Sequence, residues 1–196
     1  MNRIKRFFLL TMVALGLSSC TMLEQMSQMA NFANCTFDFN GVNSVEMLGM
    51  NLRKGMTRDD LSISQAILLT KALINKSLPV TFNIDIDVTN PNSSPAAMTK
   101  MDYIITLNER QIISTSMDRS ISVDANSKNT VTIPVTFDLF ELFSGESADA
   151  IVNLGFKLAG TSSDPVTVGV KLKPYITVGN RHLAYPDYIT LRKVLQ

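Results

Sequence analysis

The stretch Phe82-Asn83-Ile84-Asp85-Ile86-Asp87-Val88-Thr89-Asn90-Pro91 decides the fold class of this 196-residue chain. Apolar and polar side chains alternate from Phe82 to Thr89, which is the pattern of a β-strand with one buried face and one wet face. Proline lacks a backbone donor and holds the residue before it in an extended conformation, so Asn90-Pro91 ends the strand. Asp85 and Asp87 fall on the polar face, where we expect solvent rather than a bound cation.

The same alternation recurs on both sides of this strand. It predicts further strands at 37–42, 45–52, 103–107, 111–115, 119–123, 131–137, 151–158, 166–172 and 175–178, and a helical turn at 138–143. Many short strands at regular spacing are typical of an antiparallel sandwich. The sequence therefore predicts an all-β fold, a fibronectin-III- or immunoglobulin-like antiparallel β-sandwich, in a single domain over 36–196.

One segment has a helical period instead. Thr57 is followed by Asp59 and Asp60, which is typical of a helix start, and apolar residues then recur at helical spacing. We expect one inserted helix over 59–76, with its apolar face covering an edge of the sheet. That face either closes the core or lines a hydrophobic pocket. The candidate pocket residues are Ile67, Leu68, Ile74, Phe82 and Phe140.

The first twenty residues have the pattern of an export signal. A cationic start, Arg3 to Arg6, precedes an apolar run over 7–17. That run is too short for a bilayer, which takes about 20 residues, but it is typical of a signal peptide. Leu17-Ser18-Ser19-Cys20 resembles the lipobox of bacterial lipoproteins. The resemblance implies removal of 1–19, acylation of Cys20 with palmitate-like chains, and a lipidated tether over 20–35.

The charge balance and the motifs exclude several function classes. Without the signal, 15 basic side chains face 17 acidic ones, so we expect no nucleic acid partner. His182 is the single histidine, which excludes a zinc site built on several histidines. Glycine-rich phosphate loops and nucleophile elbows are missing from the sequence. We therefore expect a non-enzymatic protein without a catalytic site, metal or cofactor. Cys35 is expected to be a buried thiol, with a reactive nucleophile as the open alternative.

Four segments carry a resemblance to a known family. They are Ile86-Asp87-Val88-Thr89-Asn90-Pro91-Asn92, Met101-Asp102-Tyr103-Ile104-Ile105, Ser120-Ile121-Ser122-Val123 and Asn129-Thr130-Val131-Thr132-Ile133-Pro134-Val135. Together they resemble the type-2 late embryogenesis abundant family, which carries the water-stress and hypersensitive-response (WHy) domain. The inserted helix and the serines and threonine at 114–116, where the family has glycine, depart from its pattern. The resemblance implies a sandwich without a catalytic site, found in bacteria as outer-membrane lipoproteins of the Bacteroidetes group.

These observations lead to a functional hypothesis. We expect a membrane-anchored, non-enzymatic binding or scaffold module in the cell envelope that contacts an envelope protein. Thr21, the residue after the lipidated cysteine, favours the outer membrane as the site of the anchor. The candidate recognition surface is a tyrosine-rich C-terminal cluster: Tyr175, Arg181, His182, Tyr185 and Tyr188. Two alternatives stay open, a carrier of a lipid or other hydrophobic ligand, and a stress-protective envelope protein by analogy of fold.

Overall fold

The computed structural model describes residues 26–28, 30–160, 165–178 and 181–195. The predicted signal peptide and the lipidation site, Cys20, therefore lie outside the described residues. Helical residues at 30–33 lead into the first strand, and Phe32 is buried with only 4% of its surface exposed. The last part of the predicted tether thus packs on the domain.

Antiparallel strands dominate the described residues. They are β1 Thr36–Met47, β2 Met50–Asn51, β3 Pro79–Asn90, β4 Ala96–Met98, β5 Lys100–Leu107, β6 Arg110–Met117, β7 Ile121–Val123, β8 Ser127–Asp138, β9 Val166–Val178, β10 Arg181–Ala184 and β11 Ile189–Leu195. One sheet has the order β2-β1-β3-β8, and a second has the order β10-β9-β5-β6 with β11 also paired to β9. β4 and β7 form a small two-stranded sheet. The predicted all-β sandwich is confirmed.

The core lies between the inner faces of the two large sheets. β3 and β8 pair in register from Pro79 opposite Asp138 to Asn90 opposite Ser127. Phe82, the first residue of the alternating stretch, is fully buried and meets the Phe137 ring edge-on at 5.9 Å between centroids. The other apolar residues of that stretch are equally buried, in one cluster with the inward side chains of β5 and β9. The alternation in the sequence thus identifies the buried face of β3.

The inserted helix is present but begins later than predicted. A 3-10 turn, Arg58–Asp60, comes first, and the α-helix α1 spans Ile63–Asn75. Ser62 interrupts the two because its backbone N–H donates to Gln65 Oε1 at 2.9 Å, while the Gln65 N–H donates to Ser62 Oγ at 3.4 Å. This reciprocal capping box sets a new helix start. The predicted single helix over 59–76 is therefore two elements.

The strand predicted at 151–158 is wrong. That segment belongs to α3, Ala148–Leu158, which follows the short helix α2, Leu139–Leu142. Ser147 caps α3 by accepting the Ala150 N–H at 3.2 Å, and an acid in the first turn and a lysine in the last turn complement the helix dipole. The helical turn predicted at 138–143 is confirmed by α2.

Different segments of the chain lie at the two ends of the sandwich. Asn31 Nδ2 donates to the Pro95 carbonyl at 3.0 Å, so the chain from the predicted tether enters beside the Asn90 end of β3. α1 runs into β3 at its other end, Pro79, together with α2 and α3. A strand of twelve residues is about 40 Å long. The tether and α1 are thus connected to opposite ends of a long strand.

Candidate functional site

The exposed face of α1 is apolar. Ile63, Ile67 and Ile74 are exposed by 83%, 63% and 76%, and their spacing places them on one side of the helix. Leu69 and Ala72, on the opposite side, are the residues of α1 that are buried. We call Ile63, Ile67 and Ile74 the isoleucine stripe. An apolar stripe left open to water is typical of a surface that contacts another molecule.

α1 carries many exposed apolar side chains and few charged ones. With Leu68 it contributes half of the large apolar side chains that are exposed in the described ranges. Lys71 is its single charged residue. Arg58, just before α1, donates to Asp149 Oδ1 at 2.8 Å and to the Asp149 carbonyl at 3.2 Å. This contact joins the 3-10 turn before α1 to the first turn of α3.

The predicted hydrophobic pocket is not assembled in this structure. Phe82 is fully buried in the core, whereas Ile67, Leu68 and Ile74 point into solvent. Phe140 is half-buried and lines a different hollow beside α1, together with Leu73, Lys76, Asp138, Glu141, Ser144, Glu146 and Ala148. The predicted set is divided because a helix of 3.6 residues per turn has two sides, and the sequence does not say which apolar side faces the sheet.

The predicted tyrosine cluster is partly brought together. The Tyr175 hydroxyl donates to Asp102 Oδ2 at 2.6 Å, and this hydrogen bond raises the pKa of Tyr175 to about 12 because only the protonated phenol can donate. Lys100 lies 5.8 Å from the centre of the Tyr175 ring. Lys173 lies 5.3 Å from the ring of Tyr188. These contacts form a mixed aromatic and cationic surface on the outer face of β9.

The remaining members of that cluster lie at its edge. Tyr185 is half-buried in a small hollow that Phe32 and Tyr175 also line, and its backbone N–H donates to the Pro174 carbonyl at 2.8 Å. Arg181 and His182 are exposed on β10, an edge strand. Tyr185 therefore packs against the domain, while Arg181 and His182 lie exposed at the edge of the second sheet.

Asp85 and Asp87 form a polar ladder on the outer face of the first sheet. Lys128 Nζ lies 2.6 Å from Asp87 Oδ2, and Thr130 Oγ1 donates to Asp87 Oδ1 at 2.7 Å. The hydrogen bond from Lys128 and the one from Thr130 lower the pKa of Asp87 to about 2. Thr132 Oγ1 donates to Asp85 Oδ1 at 2.7 Å. Both carboxylates are thus engaged by neighbouring strands, and the ladder is structural.

Asn90 is a buried hydrogen-bonding centre with no exposed surface. Its Nδ2 donates to the carbonyls of Ser94, Val123 and Asp124 at 3.0, 3.0 and 2.9 Å. Its Oδ1 accepts from the backbone N–H of Asn92 at 3.0 Å. Asn90 therefore joins the end of β3 to the following turn and to β7, which is the structural role expected for the Asn-Pro pair.

In the described ranges, three features bear on redox, metal-binding and membrane-spanning roles. Cys35 is buried, its Sγ lies 3.5 Å from the Asn31 carbonyl, and burial raises the pKa of its thiol. A raised pKa disfavours the reactive thiolate. Three or more acidic, histidine or cysteine side chains do not converge as metal ligands anywhere in these ranges. No described helix has the length and apolar character needed to cross a bilayer.

Comparison with solved structures finds low sequence identity and limited geometric agreement. The crystal structure of a protein from Archaeoglobus fulgidus has 12% identity and a TM-score of 0.35, and covers 79% of this chain and 95% of its own. The solution structure of AT1g01470 from Arabidopsis thaliana has 14% identity and a TM-score of 0.42, and covers 63% of this chain and 73% of its own. A search of curated proteins gives no match.

The family comparison is decisive. The model of the LEA_2 family, described as late embryogenesis abundant protein, matches residues 85–185, just over half of the chain. The match spans the Asn-Pro strand end, the β5–β6 hairpin and β8, which are the segments that carry the resemblance in the sequence. The chain belongs to the late embryogenesis abundant protein family LEA_2.

Proposed function

We propose that this chain is a lipid-anchored, non-enzymatic binding module of the bacterial cell envelope, and that its isoleucine stripe docks an envelope protein. The observation that carries the proposal is the exposure of Ile63, Ile67 and Ile74 on a helix whose other side is packed on the domain. Burying such a stripe against a partner removes apolar surface from water, at about 25 cal/mol per Å².

The position of α1 favours a protein over the bilayer as the partner. Acylation of Cys20 is part of this proposal. It would place the anchor twelve residues before the buried Phe32. That residue lies beside the Asn90 end of β3, whereas α1 joins the Pro79 end. A domain that stands on its tether presents the stripe on the side away from the membrane. We place the anchor in the outer membrane, and the chain in the WHy branch of its family.

The chemistry of the stripe indicates what the partner offers. Isoleucines at this spacing fit the apolar face of an amphipathic helix, with ridges of one helix packed in the grooves of the other. Lys71, which is exposed beside the stripe, favours an acidic residue at the rim of the partner. We therefore expect a partner helix with an apolar stripe and an acidic flank.

Site-specific photocrosslinking in intact cells tests this function. A photoreactive amino acid replaces Ile67 in the full-length lipoprotein, and the matched control places it at Thr190, which is exposed on β11. We expect one discrete protein adduct from position 67 that disappears when Ile63→Ser and Ile74→Ser are added, and no such adduct from position 190. Adducts to lipid alone, or equal adducts from both positions, would contradict the proposal.

The two other functions have weaker support. Carriage of a ligand beneath α1 needs an enclosed pocket, and the side chains predicted to line one are divided between the core and the solvent. Stress protection rests on membership of the family alone, which is an argument from fold and not from a site.

A further inference from the structure

A cleft with both apolar and polar lining residues opens along the side of the sandwich, between the edge of the first sheet and the edge of the second. We call it the β1–β11 cleft. Its volume is about 530 Å³. It is lined by Gly41, Val42, Asn43, Ser44, Val45, Leu52, Lys54, Leu158, Ala159, Gly160, Lys193, Val194 and Leu195. Val45, Leu52 and Leu158 are buried and form its apolar floor.

The wall formed by β1 is irregular along the length of the cleft. The pairing of β1 with β3 shifts register between Phe39 and Gly41, and again between Asn43 and Glu46. Ser44, inside the second irregularity, has a positive φ of 51°. Register shifts of this kind bend an edge strand and are common beside binding sites. Here they occur in the residues that line the cleft.

Two lysines lie at the mouth of the cleft. Lys193 on β11 lies directly opposite Val168 on β9, which is fully buried. Because paired residues of antiparallel strands share a face, the Lys193 side chain leaves the sheet on its inner face. Lys54 belongs to the segment that follows β2. Both are exposed, and neither forms an ion pair with another residue in the described part of the chain. Two exposed lysines of this kind beside an apolar floor are available to an anionic ligand.

We propose that the β1–β11 cleft binds a long-chain carboxylate, a free fatty acid, with its head group between Lys54 and Lys193 and its chain along Val42, Leu158 and Leu195. An apolar floor with two cations at the mouth is complementary to one apolar chain that ends in one anion. The volume falls in the lower half of the range of small-molecule sites, which favours a single chain over a two-chain phospholipid. The site is separate from the isoleucine stripe and does not depend on the proposed function.

The test uses the full chain in isolated membranes and photoactivatable palmitic acid, added after synthesis so that it does not enter the anchor on Cys20. Labelled peptides are mapped by mass spectrometry. We expect labels in the peptides that contain Val42, Ala159 and Leu195. Lys193→Glu should lower this labelling about tenfold, because it removes a charge-assisted contact and adds repulsion. Lys171→Glu, the same change on an exposed residue of the neighbouring strand, is the matched control and should leave labelling unchanged.

A second variant tests the cleft by shape rather than by charge. Ala159 is half-buried in its wall, so Ala159→Phe should fill the space and abolish labelling while the thermal unfolding midpoint stays near that of the wild type. A photoactivatable phosphatidylglycerol serves as the competing source of an anionic lipid and should label the cleft less. Stronger labelling by that phospholipid, labels scattered outside the cleft, or equal labelling of the Lys193→Glu and Lys171→Glu variants would overturn the proposal. The last result would leave Lys193 as a charge that protects an edge strand from pairing.

Discussion

At the scale of single residues, the polar side chains of β3 act as connectors. Asn90 satisfies three carbonyls from the turn after β3 and from the region of β7, and Asp87 is held by Lys128 and Thr130. Buried or half-buried polar groups stabilise a fold when each one has a partner, and they are costly when a partner is removed. These residues therefore determine how the strands are joined. Their hydrogen bonds account for their presence without a catalytic or ligand-binding role.

Replacing Asn90 tests its role as a connector. Asn90→Ala removes the side chain that donates to the carbonyls of Ser94, Val123 and Asp124, and we expect a loss of about 1–3 kcal/mol in the free energy of unfolding. Urea denaturation of the full chain measures it. Asn129→Ala, which removes one exposed hydrogen bond to the Ser122 carbonyl, is the control and should cost less. Equal losses in the two variants would show that Asn90 is not a special junction.

The lowered pKa of Asp87 makes a prediction about acid stability. A carboxyl with a folded pKa of about 2, against about 3.9 when unfolded, stabilises the fold above the unfolded value and loses that contribution as the pH falls through about 2. Asp87→Asn should therefore be less stable than the wild type at about pH 6, and the difference should shrink toward about pH 2. Urea denaturation across this range measures it. Asp124→Asn, the same change at an exposed residue, is the matched control, and equal losses of stability in the two variants would contradict this role of Asp87.

At the scale of elements, α1 is a helix with two apolar sides, one buried and one exposed. Its capping box at Ser62 and its left-handed residue at Lys76, with φ of 51°, define a helix of thirteen residues. One side buries Leu69 and Ala72, and the other presents the isoleucine stripe. The outward side of a surface helix normally carries polar and charged residues rather than an apolar stripe. The exposure of this one is the feature that the proposed function uses.

The two sides of α1 should respond differently to truncation. Leu69→Ala removes a buried side chain and should cost about 2–5 kcal/mol, near the lower end because the helix lies at the periphery. Ile67→Ala removes an exposed side chain and should change the free energy of unfolding by about 0.5 kcal/mol or less. Chemical denaturation of both variants checks this. A large loss for Ile67→Ala would mean that the stripe is packed within the chain itself.

At the scale of the whole molecule, one apolar cluster joins both sheets, α1 and α3. Phe82 lies inside it, fully buried and in edge contact with Phe137. Gly155 lets α3 approach β1, because an added Cβ would lie 2.7 Å from Met47 Sδ. The helices are therefore part of the core and not attachments to it.

Phe82→Ala should show how far this shared core determines stability. The loss of a fully buried ring and the cavity that it leaves should cost about 3–5 kcal/mol. Thermal and urea unfolding of the full chain measure the effect, with Phe140→Ala as the half-buried comparison, expected to lose less. A similar loss in both variants would contradict the central position of Phe82 in the core.

Much of the fold follows from local patterns in the sequence. The alternation from Phe82 to Thr89 determined the buried face of β3, because successive side chains on a strand point to opposite sides. The Asn90-Pro91 pair determined where that strand ends, and Ser62 and Gln65 contain the signal for the true start of α1. The family resemblance was readable in the same segments that the family comparison matches.

Other features were decided only by the tertiary structure. The run at 151–158 alternates like a strand but is helical, because the Ser147 cap and the burial of one wide apolar face of the helix outweigh the period-two pattern. The strands predicted at 166–172 and 175–178 are one strand, β9, because β5 pairs with it continuously past Pro174. Periodicity identifies apolar faces, but only packing decides which of them is covered. For that reason the sequence by itself determined the sandwich, while the tertiary structure decided that the isoleucine stripe lies open and that the side of the sandwich parts into a cleft.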